Sequence, residues 1–394
     1  MNSDATADDP VEGEYEHDGD GDGEQEVELA ADGLLAAHES YGANFAERGG
    51  RRVVAGYTRG ERTHRAVRRG VGIIEMGYGI CVVEGDDRLE FVDNAVSNRV
   101  PESDGRGCYA LLLGPQGRVE TDLYIYNAGE QLLVFTPPDR AEPLATDWRE
   151  KTFIQDVEIA VATDEMSVFG VHGPQATEKV ASVLTNASTP EDHLTFTRGE
   201  LGDAGVTVIR TDALCGEESY AVVCGAANAP ETFDALVTRG MNAVPFGYDT
   251  FDALTAEAGT PLFETELEGV VPNVLGLRNA LDFEKGCYVG QEVVSRIENR
   301  GRPSRRLIGL RCEATPLAGA AVFDGDAATG EVTRGSYSPT LEAPIALALV
   351  EYGTAATDLT VRVDGTERAA TATPLPFVEG SDRSARLPTY PTDE

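Results

Sequence analysis

Lys285-Gly286-Cys287-Tyr288-Val289-Gly290-Gln291-Glu292 is the stretch on which the reading of this chain turns. A cysteine lies between two glycines, beside a lysine and ahead of a helical pattern. The preceding Ala280-Leu281-Asp282-Phe283-Glu284 reads as a strand end. In the following segment, Gln291 to Glu298, residues Val293, Val294 and Ile297 share one helical face. The spacing predicts a glycine-hinged turn between a strand and a helix N-terminus. There the helix dipole and the Lys285 ammonium both favour a thiolate on Cys287. Taken alone, the same cysteine also fits a small, inert core residue in a tight turn.

The chain has 394 residues, enough for two or three domains with sizeable cores. Its formal net charge is −36, and lysine occurs only at 151, 179 and 285. An acidic, arginine-based surface of this kind suits a halophile, because high salt screens self-repulsion. The same charge repels phosphates, so nucleic acid is not an expected partner. No apolar run reaches membrane-spanning length and the N-terminus has no basic-then-apolar signal pattern, so no membrane partner is expected. The six cysteines form no C-x-x-C pair and the histidines do not cluster. That argues against a zinc site and a disulfide framework, and makes the cytoplasm the expected compartment.

Residues 1–28 are acidic and glycine-rich, without apolar periodicity, and are expected to be a disordered tail. From Leu29 onward, Leu34, Leu35, His38, Tyr41 and Phe45 recur at helical spacing. Helices are expected over 61–69, 89–97, 140–152, 176–184 and 229–239. Strands are expected over 78–84, 108–113, 119–126 and 131–136, with a turn at Gly114-Pro115-Gln116-Gly117. This rhythm predicts an α+β fold with antiparallel sheets. Beyond Arg302, short apolar runs separated by polar turns predict a small all-β domain, a barrel over 301–380. Residues 381–394, with two prolines, read as a loose tail.

The octapeptide resembles the K-G-C-Y-x-G-Q-E signature of YgfZ-type folate-binding proteins. These are relatives of the glycine cleavage T-protein, an aminomethyltransferase, and support iron–sulfur enzymes. Three more segments carry the resemblance. Gly117 to Tyr126, with Cys108-Tyr109-Ala110 before it, is similar to the T-protein strand pair that holds the reduced pterin, and the family's catalytic aspartate falls on Asp122. Along that strand Asp122, Tyr124 and Tyr126 point to one face, a platform for a flat, hydrogen-bonding heterocycle. Read without the resemblance, the same alternation is a strand with a solvent-facing polar side. Ile209 to Tyr220 resembles R-T-G-Y-T-G-E-D-G-F, with Arg210, Thr211, Gly216 and Glu217 matching. Glu217 is then the expected partner of the aminopyrimidine edge. Here the motif's inner glycine and tyrosine are replaced by Asp212 and Ala213. Gly330 to Leu341 is similar to G-x-x-T-S-G-x-x-S-P-T-L before an apolar strand.

The resemblance implies a T-protein-like fold with two ferredoxin-like α+β subdomains, roughly 29–165 and 166–300, and a C-terminal β-barrel. It implies tetrahydrofolate, or a one-carbon derivative, bound by Tyr109, Asp122, Tyr124, Tyr126, Arg210 and Glu217. Catalytic roles fall to Cys287, Asp122 and Lys285, and no metal is expected. His172, in Val171-His172-Gly173-Pro174, reads as structural. The family's helical Arg-x-Glu is Thr255-Ala256-Glu257 here. A basic island, Arg296, Arg300, Arg302, Arg305 and Arg306, suits the carboxylates of a glutamate tail or an interdomain linker. Two activities are expected from these features. The first is YgfZ-like support of iron–sulfur proteins through the Cys287 thiol. The alternative is an aminomethyltransferase, which moves a one-carbon unit from a lipoyl carrier protein to tetrahydrofolate and releases ammonia.

Overall fold

The computed structural model describes residues 21–391, except for the side chains of 21–25 and Arg300. It is an α+β chain with two antiparallel-based sheets and a closed barrel. The predicted disorder of residues 1–20 lies outside the described residues. Order begins earlier than Leu29, with a helix over Gly21–Ser40. Leu34 packs into the core below it and His38 is buried, while Phe45 belongs to the next strand. The acidic composition that suggests a tail is compatible with a helix whose apolar stripe is short.

One sheet has five strands in the order Arg106–Leu113, Val119–Asn127, Gln131–Thr136, Gly79–Glu84 and Glu158–Val161. Both of its faces are covered. Leu123, Ile125, Cys108 and Ala110 pack outward against Trp148, Leu144 and Val92 of two helices, Ala141–Lys151 and Arg88–Ala95. The alternate residues Tyr109, Leu111, Tyr124 and Tyr126 face the centre of the molecule. A strand buried on both sides has no solvent-facing polar edge, so the carboxylate of Asp122 lies inside.

The second sheet runs Phe196–Leu201, Ala204–Arg210, Ser219–Gly225, Met166–His172, Gly72–Met76 and Val244–Pro245. Strand Gly72–Met76 lies between Met166–His172 and Val244–Pro245, so a division at residue 165 cuts through this sheet. An early hairpin, Ala43–Arg48 with Arg51–Tyr57, turns on Gly49 and Gly50, both at positive φ.

Six strands close the barrel: Arg305–Cys312, Ala343–Glu351, Ala327–Ser338, Ala321–Asp324, Asp358–Val363 and Thr366–Thr373. Leu310, Val322, Val332, Ala348 and Val361 fill its interior. Leu307, Ile345, Leu347 and Leu349 instead join the central core shared with both sheets. The barrel is therefore packed onto the sheets through a common apolar centre.

Two stretches differ from expectation. Residues 280–284 form no strand; Asp282 instead caps a turn by accepting from the Glu284 and Lys285 amides. Residues 381–391 are not loose. Their backbone is tied down by Arg383 N–H to the Gly216 carbonyl (3.1 Å), Ala385 N–H to the Asp212 carbonyl (2.9 Å) and Thr389 N–H to the Gly276 carbonyl (3.1 Å). Gly216 and Gly276 sit at positive φ, and a Cβ on either would collide with this segment, at Ser381 and Thr389.

Candidate active site

Register on the five-stranded sheet creates the first part of the site. Tyr109 stands opposite Tyr124, and Leu111 opposite Asp122. Tyr109 therefore reaches Asp122 diagonally, and its hydroxyl donates to Asp122 Oδ2 at 3.1 Å. The Tyr109 and Tyr124 rings lie 5.0 Å apart, and Tyr124 stacks at 13° on Tyr126. Burial pushes the Tyr109 and Tyr124 hydroxyls well above their ordinary range, with the neighbouring Arg386 opposing that rise. Both are neutral donors at physiological pH.

The loop after strand Ala204–Arg210 brings a second carboxylate. Asp212 is fully buried. It accepts from the Tyr124 hydroxyl at 2.8 Å, and His193 Nε2 stands 2.5 Å from its other oxygen. The position at which the family motif is broken thus supplies an acid to the site.

Between the two carboxylates lies Arg386, only 3% exposed. Its Nη1 is 2.9 Å from Asp122 Oδ2, its Nε 3.5 Å from Asp212 Oδ2, and its Nη2 donates to the Tyr124 hydroxyl at 2.8 Å. The guanidinium carbon sits 4.0 Å from the Tyr109 ring centre. Although burial opposes its charge, Tyr109, Tyr124, Asp122 and Asp212 hold this guanidinium protonated well above its ordinary range. Sequence reasoning missed it because a single arginine in a proline-flanked polar tail carries no periodic signal.

Beside this group is a cavity of about 80 Å³, lined by Tyr78, Asp122, Tyr124, Phe135, Tyr248, Phe251, Phe263 and Arg386 among others. Arg48 forms part of the lining. Its Nε is 2.9 Å from Glu264, its Nη1 is 3.1 Å from Asp252, and its guanidinium covers the Tyr248 ring at 4.4 Å. Arg48 was also missed; the Gly49-Gly50 pair after it is a hairpin signal that the sequence does contain.

Other expected site residues lie apart from this cluster. Glu217 faces Arg68 at 3.5 Å. Arg210 donates to Thr177 and Tyr220 and stacks on the Tyr220 ring. Tyr126 stacks on Tyr124 but does not line the cavity, and packs in the core between Phe135 and Phe196. His172 contacts Phe246 and Phe251, and burial pushes it down to about 4, so it is neutral and structural.

The octapeptide divides between scaffold and surface. The Lys285 ammonium donates to the carbonyls of Asp93, Val96 and Asn98, at 3.1 Å and 2.9 Å for the last two, and closes the end of helix Arg88–Ala95. This use replaces the predicted role beside Cys287. Tyr288 is buried in the central core. Gly290, at φ +81°, lies where a Cβ would meet the Gly114 carbonyl at 2.7 Å, so it lets helix Gln291–Arg300 rest on the turn between strands Arg106–Leu113 and Val119–Asn127. Cys287 is exposed and does not line the cavity; the other five cysteines are buried. The basic island is spread out as well: Arg305 pairs with Glu331 at 3.2 Å, and Arg306 donates to the Thr354 carbonyl at 2.7 Å.

Glu257, the remnant of Arg-x-Glu, is fully buried and joins three regions. It accepts from Arg68 Nη2 (2.7 Å), the Ser338 hydroxyl (2.6 Å) and the Thr340 hydroxyl (3.0 Å), and His64 Nε2 is 3.3 Å away. Burial acts to raise its carboxyl, but His64, Arg68 and Ser338 outweigh it and bring the group to about 2. Thr255, where the family has arginine, accepts instead from Arg334 of the barrel at 3.0 Å.

Comparison with known proteins agrees with this architecture. Residues 34–285 match the GCVT N-terminal domain, and residues 305–379 match the Glycine cleavage T-protein C-terminal barrel domain. An aminomethyltransferase of Cutibacterium acnes is 32% identical over 88% of this chain and 98% of its own length. One of Saccharopolyspora erythraea is 30% identical over 86% of this chain and 95% of its own. The crystal structure of aminomethyltransferase T of the glycine cleavage system from Bartonella henselae covers 91% of this chain and 99% of its own, with a TM-score of 0.77 at 21% identity, a likeness of fold. The relatives named in these comparisons favour the aminomethyltransferase side of the two expected activities. With two T-protein domains matched in order, this chain belongs to the glycine cleavage T-protein family.

Proposed function

We propose that this protein is an aminomethyltransferase-type enzyme that delivers a one-carbon unit to tetrahydrofolate from a lipoyl carrier protein. The observation that carries the reading is Asp122, a carboxylate held by the Tyr109 hydroxyl on a wall of aromatic rings at the centre of the molecule. Flat rings and buried acceptors suit a heterocycle rich in N–H donors. Tyr109, Asp122, Tyr124 and Asp212 would hold tetrahydrofolate, which supplies the amine nitrogen that accepts the carbon unit. Asp122 orients that nitrogen and steers its proton. The low exposure of the wall keeps water from the transfer. The relatives named aminomethyltransferase support this reading over the iron–sulfur one.

The test is turnover of aminomethylated lipoyl carrier by purified protein in molar potassium chloride, with tetrahydrofolate as acceptor. Ammonia release dependent on tetrahydrofolate is expected; its absence under conditions that keep the protein folded sinks the proposal. A second reading, YgfZ-like support of iron–sulfur enzymes, is favoured by the exposure of Cys287 alone among the six cysteines. A Cys287→Ala protein that fails to restore iron–sulfur enzyme activity in a deletion strain argues for that role, and full complementation argues against it.

A further inference from the structure

The cavity beside Asp122 has a second charged wall. Part of it comes from the short π-helix Phe263–Leu267. There the Leu267 and Glu268 amides reach back five residues, to the Leu262 and Phe263 carbonyls at 3.1 Å and 3.2 Å. Turns of this kind are frequent at functional sites. The two acids of the turn have different uses. Glu266 is buried and accepts from the Leu262 amide at 2.9 Å, which fixes the turn. Glu264 lines the cavity, with its side chain 35% exposed.

The charges on this wall do not balance. The Arg48 guanidinium meets Glu264 through Nε at 2.9 Å, and both oxygens of Asp252 through Nη1 at 3.1 Å. One cation thus serves two carboxylates. Burial pushes the Glu264 carboxyl up, with Arg48 opposing and Asp252 adding to the rise. The other guanidinium on the cavity, Arg386, is committed to Asp122 and Asp212. Rings of Tyr78, Phe135, Tyr248 and Phe263 line the space as well. Aromatic rings beside a carboxylate in excess are surroundings that attract an ammonium.

We propose that Glu264 is a specificity-determining residue that seats the ammonium of the incoming one-carbon donor, in the same cavity as Asp122. The proposal rests on the aminomethyl reading above. In that reading the transferred carbon carries a primary amine, and the folate nitrogen that accepts the carbon is held at Asp122. The carbon lies between those two nitrogens, so the amine projects beyond it into the space that Glu264 lines. The dimensions suit this. The cavity holds about 80 Å³, and a water-sized group takes roughly 30 Å³. An aminomethyl end fits there and a heterocycle does not. A methyl donor without the amine leaves the excess carboxylate unanswered, so the wall favours aminomethyl over methyl transfer.

Two measurements on the full-length protein in molar potassium chloride test this. With aminomethylated lipoyl carrier as donor, Glu264→Gln should raise the donor KM about 10-fold or more, while kcat and the KM for tetrahydrofolate stay within about 2-fold. An unchanged donor KM, or equal changes toward both substrates, overturns the proposal. The second measurement needs no turnover. Methylammonium chloride, exchanged for potassium chloride at constant ionic strength, should raise the melting temperature of the parent saturably. Tetramethylammonium, too large for the cavity, should not. Glu264→Gln should lose the response. Arg48→Gln keeps both carboxylates and removes their competing cation, so it should respond at about 10-fold lower methylammonium concentration. A parent that ignores methylammonium, or a Glu264→Gln protein that responds as the parent does, overturns the proposal. A Glu264-dependent methylammonium response in a protein without one-carbon turnover supports the ammonium seat while sinking the aminomethyltransferase reading.

Discussion

Asp122 and Cys287 make opposite demands on their surroundings, and the chain meets both. Asp122 is an acceptor in a dry place, flanked by a hydroxyl donor and a guanidinium. Asp122→Asn keeps the shape but cannot take a proton, and steady-state turnover should fall about 100- to 10,000-fold, the usual worth of a positioned acid or base. Unchanged kcat would remove Asp122 from the chemistry. Cys287 needs access, and burial denies that to the other thiols. Burial pushes Cys81, Cys108 and Cys215 up to about 12, and Cys224 and Cys312 to about 11. Mass-spectrometric mapping after brief alkylation of the folded protein should find Cys287 modified first; equal labelling of a buried cysteine would contradict the packing described. The strand carrying Asp122 was readable in advance because period-2 alternation survives burial on both faces. Arg386, which pairs with Asp122, and Asp212 on its far side were not, since both come from irregular segments whose positions depend on tertiary hydrogen bonds rather than on a local pattern.

Between elements, Glu257 is the joint to examine. It ties helix Tyr248–Glu257 to helix Gly60–Arg69 through Arg68, and to the barrel through Ser338 and Thr340. Glu257→Ala leaves Arg68 largely buried and without its closest carboxylate, and should cost about 3–5 kcal/mol in urea unfolding at fixed salt. A loss under 1 kcal/mol would show that the joint carries little of the stability. The pH dependence follows from the same group. Its carboxyl is at about 2 in the folded chain, below the unfolded value of about 4.3, so its contribution is complete above that unfolded value. As pH falls from about 5 towards 2, the unfolded state gains the proton first and the contribution, on the order of 3 kcal/mol, drains away. Glu257→Gln should therefore show a flatter stability profile between pH 5 and pH 2 than the parent; parallel profiles would assign the acid sensitivity elsewhere. Most helices, four of the five strands of the first sheet and the short runs of the barrel were legible as apolar periods bounded by turns, whereas no strand of the six-stranded sheet was read. The hairpin carrying Arg48 and the first turns of the helix from Gly21 went unread because charged residues dilute their apolar faces.

At the scale of the whole molecule, a formal charge of −36 sets the conditions under which all of this holds. Self-repulsion among surface carboxylates is relieved by screening, so the melting temperature should climb steeply between low and molar potassium chloride. A flat profile across that range would reject the halophilic reading of the composition. No helix among the described residues is long and apolar enough to cross a membrane. The architecture also has a consequence for how the protein is made. Strand Gly72–Met76 leaves the ribosome long before Met166–His172, the neighbour that gives it five paired positions. Until some hundred further residues emerge, this apolar strand, Gly-Ile-Ile-Glu-Met, has no ladder to join. Synthesis therefore passes through a stage with an orphan β-edge, the kind of surface that chaperones cover and that aggregates when they do not. Pausing translation between residues 80 and 165 should lengthen that stage and lower the soluble yield, whereas a pause inside the barrel, with both sheets already closed, should not.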